Sequence, residues 1–210
     1  MFSHMTDMLT EAPAPIAPEA PAGRDRTIRR LDRQPIFRSA FVTHDLDHVR
    51  FPNGRDGKYS VIGVAEGFGV LAIPVLTFRG IDYLGLVSQY RYPVQVESLE
   101  FVRGGATEMT AAEAGREVRE ETGIEPGHAE YLGAVHPDTG MLSTEAGVWL
   151  FRQHPSDKDL DFTEDESGAM TSWHSLGEML GLIRSGRIRC GITLAAFALL
   201  QASCRLRGTV

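Results

Sequence analysis

Glu117, Glu120 and Glu121 stand within one short run, REVREETGI at residues 116–124, and Glu108 lies eight positions before its arginine. The run ends in Thr122-Gly123, a helix stop in which glycine allows the left-handed C-terminal conformation. On a helix of 3.6 residues per turn these three glutamates crowd one side, about one turn apart. Each like-charged pair costs roughly a few tenths of a kcal/mol on an exposed helix, and more when partly buried. A cation placed among them removes that cost. Hard divalent ions, Mg²⁺ or Mn²⁺, prefer carboxylate oxygen, keep part of their water and bridge proteins to phosphates. The competing reading is an exposed charged helix whose glutamates pair with Arg116 and Arg119.

The elements that must position these side chains follow from periodicity and turn residues. FRSAFVTHDL at 37–46 and YSVIGVA at 59–65 read as short strands around a Pro52-Asn53-Gly54 turn. VLAIPVLTF at 70–78 and YLGLVSQYR at 83–91 read as a hairpin turning through residues 79–82. SLEF at 98–101 leads into the glutamate-bearing helix, expected at about 110–122. Strands are expected at 131–136, 147–153 and 170–173, with a polar loop at 155–168, and helices at about 176–185 and 192–205. Strands first, a helix between strands and helices last imply a mixed sheet packed between helices. Residues 1–22, rich in proline and alanine, lack the periodicity to bury themselves and read as a disordered tail.

A chain of 210 residues suffices for one well-buried domain and an arm. Hydrophobic content of 42% and charged content of 23% are ordinary for a soluble protein. The net charge of −7 argues against binding to a nucleic-acid backbone, which needs clustered Lys and Arg. Arginines do gather in RDRTIRRLDR at 24–33, but acids alternate with them, as in a solvated strand or turn. Cys190 and Cys204 lack metal-site spacing and read as small buried apolar residues. The longest apolar run, ITLAAFALL at 192–200, is too short for a membrane span and no signal peptide is recognisable, so a cytoplasmic location is expected.

The stretch GGATEMTAAEAGREVREETGI at 104–124 resembles the Nudix box of hydrolases that cleave nucleoside diphosphates linked to another group. From Glu108 onward every fixed position of the box is matched. The box's leading glycine falls at Val102, while Gly104 and Gly105 lie closer to Glu108, so the loop is shorter than the family's. Beyond the box, FPNGRDGKYSVI at 51–62, SQYRYP at 88–93, SLEFVRGG at 98–105, HPDTGMLSTE at 136–145 and SGRIRCGITLAAFALL at 185–200 are similar to the ADP-ribose and nucleotide-sugar pyrophosphatase branch.

The resemblance implies an α/β (α+β) fold: a Nudix-type mixed β-sheet sandwiched between helices, with an N-terminal antiparallel β region at 23–66 and a catalytic domain at 67–210. It implies metal-dependent hydrolysis of an ADP-ribose-like nucleotide sugar to a nucleoside monophosphate and a sugar phosphate, with Mg²⁺ (or Mn²⁺) as cofactor. Glu117 and Glu121 become the principal metal ligands and Glu120 a ligand of a further metal. Glu108, expected at the start of the helix, and the carbonyl of Gly104 or Arg103 would complete the shell. Arg116 would hold a ligand carboxylate, and Arg91, with Arg103 and Gly105, would face the substrate. Glu145 is implied as general base, with Asp138 in the same loop as the alternative. Members of the branch are usually homodimers joined through the N-terminal sheet. A different nucleotide substrate, such as GDP-mannose or a dinucleoside polyphosphate, and a non-catalytic nucleotide-sensing module are the other readings.

Overall fold

The computed structural model describes residues 25–153 and 170–208; the tail at 1–22 and the polar loop at 155–168 lie outside the described residues. Two sheets and three helices make up the described part. The first sheet is antiparallel and three-stranded, built from β1 (Arg29–Arg38), β2 (Val42–Arg50) and β3 (Asp56–Val64) in that order. The second contains β4 (Phe68–Phe78), β5 (Ile81–Arg91), β6 (Val96–Glu100), β7 (Val102–Ala106), β8 (His128–Val135), β9 (Ala146–Gln153) and β10 (Met170–Ser175). Its spine runs β10-β5-β4-β9-β8, with β4 and β9 parallel and the other pairs antiparallel.

Strand alternation divides the second sheet's side chains between two cores. Leu71, Ile73, Val75, Leu84, Leu86, Val148 and Leu150 face α2 (Leu176–Arg184) and α3 (Gly191–Ser203). Val70, Ala72, Val87, Val102, Trp149 and Phe151 face α1 (Ala111–Thr122), which contributes Ala114 and Val118. A mixed sheet between helices is therefore the architecture, as composition and element order indicate.

The feature that matters for chemistry is a fork in the sheet. β4 and β5 pair only near their shared turn, from Val75–Leu84 to Phe78–Ile81, and then separate. β7 fills the gap along β4 and β6 fills it along β5, so the chain changes partner at Phe101. The buried Thr193 hydroxyl of α3 accepts the Phe101 backbone N–H at 3.2 Å, supplying the partner that a strand changeover removes. Sequence reading missed β7, because the Gly104-Gly105 pair looks like loop rather than strand.

β1 and β2 are joined by ion pairs rather than by a core. All ten residues of β1 are exposed. Arg33 reaches Asp47 with two hydrogen bonds of 2.7 Å, and Arg38 pairs with Asp45, both aspartates being almost buried. Residues 29–33 of RDRTIRRLDR thus belong to a solvated strand, with Asp45 and Asp47 of β2 across the ladder from it. The cysteines depart from expectation. Cys190 is only half-buried and Cys204 is exposed, because they cap the two ends of α3 instead of filling its apolar face.

α1 has a complete set of end signals. Thr110 caps its N-terminus, its hydroxyl accepting the Glu113 N–H, and Gly123 ends it with φ 68° while donating its N–H to Arg119 O. Gly123→Ala would force a Cβ into the left-handed region at a cost of about 1–2 kcal/mol, and urea denaturation should show a lowered midpoint with unchanged slope.

Candidate active site

α1 carries its acidic residues toward β7 at close range. A Cβ on Gly104 would lie 2.0 Å from the Glu117 carboxyl carbon, so any larger residue there would displace that carboxylate from the strand. A Cβ on Gly105 would lie 1.8 Å from Oε2 of Glu66, a residue in the turn between β3 and β4. Glu66 also adds a like-charge influence on Glu117, which brings a carboxylate unassigned by the sequence reading into this neighbourhood. The glycine pair therefore runs between two acids, one from the helix and one from the junction of the sheets.

Arg116 organises the acids. Its guanidinium donates to Glu117 at 2.6 Å, to Glu120 at 2.7 Å, to Glu113 at 3.2 Å and to the Gly105 carbonyl at 3.3 Å. The hydrogen bond to Glu120 is the leading influence holding the Arg116 proton more firmly than usual. Among the described residues, no three carboxylate, imidazole or thiol groups converge as a ready cage for an ion. The arrangement explains why: Glu117 and Glu120 are both turned to Arg116.

Glu121 is in a different state. Its Oε1 accepts from Gln89 Nε2 at 3.2 Å, while Oε2 is buried without a hydrogen-bond partner. Burial pushes its pKa up to about 7; the Gln89 bond opposes this, and the charge of Glu117 adds to it. Burial also raises the pKa of Glu117, against the pull of Arg116. An orphaned buried oxygen beside crowded carboxylates is the donor chemistry that suits a hard divalent cation. The residues present fit such an ion, with Glu121 and Glu117 foremost and Glu120 able to join once released from Arg116.

Other expected site residues take varied positions. Glu108 is exposed in the bend between β7 and α1, not on the helix, because Thr110 caps α1 two residues later. Val102, where the box has its leading glycine, is fully buried in β7, and Gly104 is the glycine at the close approach. Arg91 and Arg103 both bind Glu100, at 2.8 Å each to Oε2. Glu100 is almost fully buried. Burial works to raise its pKa, but the hydrogen bond from Arg91 and the charge of Arg103 outweigh that and bring it down to about 2. Arg91 also senses the charge of Glu121, linking this pair to the α1 acids.

Glu145 precedes β9 in a loop held by the first sheet. Val64 N–H donates to the buried Thr144 hydroxyl at 3.1 Å, and Ser143 N–H donates to the Ile62 carbonyl at 2.8 Å. The Glu145 carbonyl accepts from Gly69 N–H at 2.8 Å, and its carboxylate lies 4.0 Å from His136 Nε2. Gly69 pairs with Gly105 on one side and Ala146 on the other, so Glu145 arises at the same end of the sheet as the glycine pair. Asp138 is exposed and its Oδ1 accepts from Gly140 N–H at 2.7 Å, a turn contact within its own loop.

A cleft of about 550 Å³ adjoins this region. Arg91, Arg103 and Glu100 form one wall, and Arg187, Arg189, Cys190 and the start of α3 another. The sequence reading passed over Glu66, Glu100, Arg187 and Arg189. Of these, only Glu100 carried a signal, a lone acid in an otherwise apolar SLEF run at a position too buried to stand alone.

No protein-family model matches the chain. Among curated proteins it is similar to the methanol dehydrogenase activator of Bacillus methanolicus, at 23% identity over 175 residues, covering 82% of this chain and 92% of that protein. Among solved structures it is similar to a crystal structure of an ADP compounds hydrolase, with TM-score 0.66 and 16% identity, covering 84% of this chain and 93% of that one. The chain therefore shares the mixed α+β fold of that structure.

Linkage gives the site a signature without any substrate. Glu121 has a folded pKa of about 7 against an ordinary 4.5, so between those values the folded state retains a proton that the unfolded chain releases. This contribution to stability is therefore full below the ordinary value and is lost as pH rises toward about 7. In metal-free protein, melting temperatures from about pH 5 to 7 should fall more steeply for wild type than for Glu121→Gln, in which the group stays neutral.

Proposed function

We propose that the protein is a Nudix-type pyrophosphohydrolase that cleaves the diphosphate of an ADP-ribose-like nucleotide sugar, giving a nucleoside monophosphate and a sugar phosphate. The observation that carries the reading is the unpartnered, buried Glu121 oxygen set among the α1 carboxylates. Glu121 and Glu117 would hold Mg²⁺ or Mn²⁺, Glu120 would contribute after leaving Arg116, and the Gly104 carbonyl lies on the strand nearest them. When bound, such an ion neutralises phosphate oxygens and lowers the pKa of water.

The chain's own residues supply the rest. Arg116 keeps the acids gathered and compensated before an ion binds, and afterwards orients whichever carboxylate remains with it. Arg91 and Arg103 present guanidinium groups to the diphosphate from a fixed base, Glu100, which restricts their rotamers and leaves N–H donors to spare. Gly105 remains the substrate-side glycine of the resemblance, with the Glu66 carboxylate lying where a side chain of its own would be. Glu145 accepts a proton from the attacking water; its anchored loop and neighbouring His136 support that role over Asp138, whose carboxylate is already engaged. Glu108, exposed in its bend, would act on the shell through water.

The similarity to an ADP compounds hydrolase supports an adenine nucleotide among candidate substrates. Product masses from a panel of ADP-ribose, GDP-mannose and dinucleoside polyphosphates, with Mg²⁺ or Mn²⁺, test the reading. ADP-ribose should yield AMP and ribose phosphate; Glu121→Gln should lose nearly all turnover, and Glu145→Gln should lower kcat by about 10²–10⁴. Absence of anhydride cleavage across the panel would overturn it, as would near-normal turnover by Glu121→Gln.

We infer also that two copies associate through the first sheet. Leu31, Ile36, Phe37 and Phe41 are exposed on or beside it, Phe41 by 81%, an apolar surface that the other described residues do not cover. Light scattering at micromolar concentration should give twice the 23.1 kDa chain mass, and a monomer would contradict the inference.

A further inference from the structure

The cleft beside the acidic site holds more positive charge than a neutral sugar requires. Four arginines line it against two glutamates, Glu97 and Glu100, in a chain whose net charge is −7. Arg91 and Arg103 are committed to Glu100. Arg187 and Arg189 are not: both are exposed, and among the described residues neither pairs with a carboxylate. They sit on the α2–α3 connection and line the same cleft as Glu100, with Ile188 between them buried at 2% exposure. That burial anchors the backbone, so the two arginines flank a fixed point rather than a swinging loop.

The end of α3 adds to the same field. Cys190 occupies its N-cap without a side-chain cap bond, and its first turn has no acidic residue. The helix therefore leaves backbone N–H groups uncapped at the cleft wall, where an anion is favoured. Arginine pairs are suited to phosphate oxygens through planar, forked donors.

Resting on the hydrolase reading above, we propose that Arg187 and Arg189 form a second anion site, which takes a phosphomonoester carried by the substrate in addition to its scissile diphosphate. The preferred substrate class is then a nucleoside diphosphate derivative bearing one further phosphate group. These arginines are specificity-determining residues, remote from the bond that breaks. The diphosphate is left to Arg91, Arg103 and the acidic site.

Direct binding by calorimetry tests this on the full chain with Mg²⁺, using AMP, adenosine 2′,5′-bisphosphate and adenosine 3′,5′-bisphosphate. None contains an anhydride, so the result is independent of turnover. At least one bisphosphate should bind about tenfold or more tightly than AMP. The double variant R187Q/R189Q should erase that preference while AMP affinity stays within about threefold, and R187K/R189K should restore part of it. Equal binding of all three ligands by wild type would overturn the proposal. So would an equal loss for all three in the double variant, which would assign the arginines to the shared 5′-phosphate. Retained bisphosphate preference without hydrolysis of any substrate would leave this site standing and remove the catalytic reading alone.

Discussion

The passage of a glycine strand against a glutamate helix is the constraint on which the rest of the structure turns. α1 brings the Glu117 carboxylate against β7 where the strand has no side chain, at Gly104, and β7 lies there because β4 and β5 part to admit it. The helix is fixed from below by Ala114 and Val118 in the core shared with Val102 and Trp149. The crowding of like charge is thus imposed by packing and then offset by Arg116. That guanidinium occupies the place in the charge balance that a small cation would share.

Two kinds of carboxylate result from this geometry. Glu100 is buried yet charged, held by two arginines, and its pKa falls to about 2. Glu121 is half-buried with one oxygen fully enclosed; burial outweighs the Gln89 bond, the Arg103 backbone and the Arg91 charge, and its pKa climbs to about 7. The contrast lies in their partners, since both have lost solvent. One is a structural anion that fixes guanidinium groups; the other has an unmet demand for positive charge. Separation of the two across a few strand positions gives the region a stable frame and a reactive centre.

Much of this was legible in the sequence because it rests on local rules. The helix from 111 to 122 follows from its threonine cap, glutamate spacing and terminal glycine, and the long apolar strands follow from composition and turns. What escaped depends on contacts between distant segments. β7 was hidden because glycines have low strand propensity and their reason for being there is a helix that packs on them. Glu66 looks like an ordinary loop acid until the turn between β3 and β4 carries it to the end of the sheet where Glu145, already implied by the resemblance, also arises. Glu108 was placed on the helix by its position in the motif, but the cap at Thr110 excludes it. Arg187 and Arg189 are unremarkable in sequence and gain meaning only from the wall opposite them.

The single bond from the Phe101 amide to the Thr193 hydroxyl spans 92 positions of the chain. It fastens the strand changeover, with Glu100 immediately before it, to the first turn of α3. Glu100 and Gly191, close neighbours of the two bonded residues in the chain, both line the cleft. The spacing between the arginines gripped by Glu100 and those that precede α3 is thus set in part by one hydroxyl.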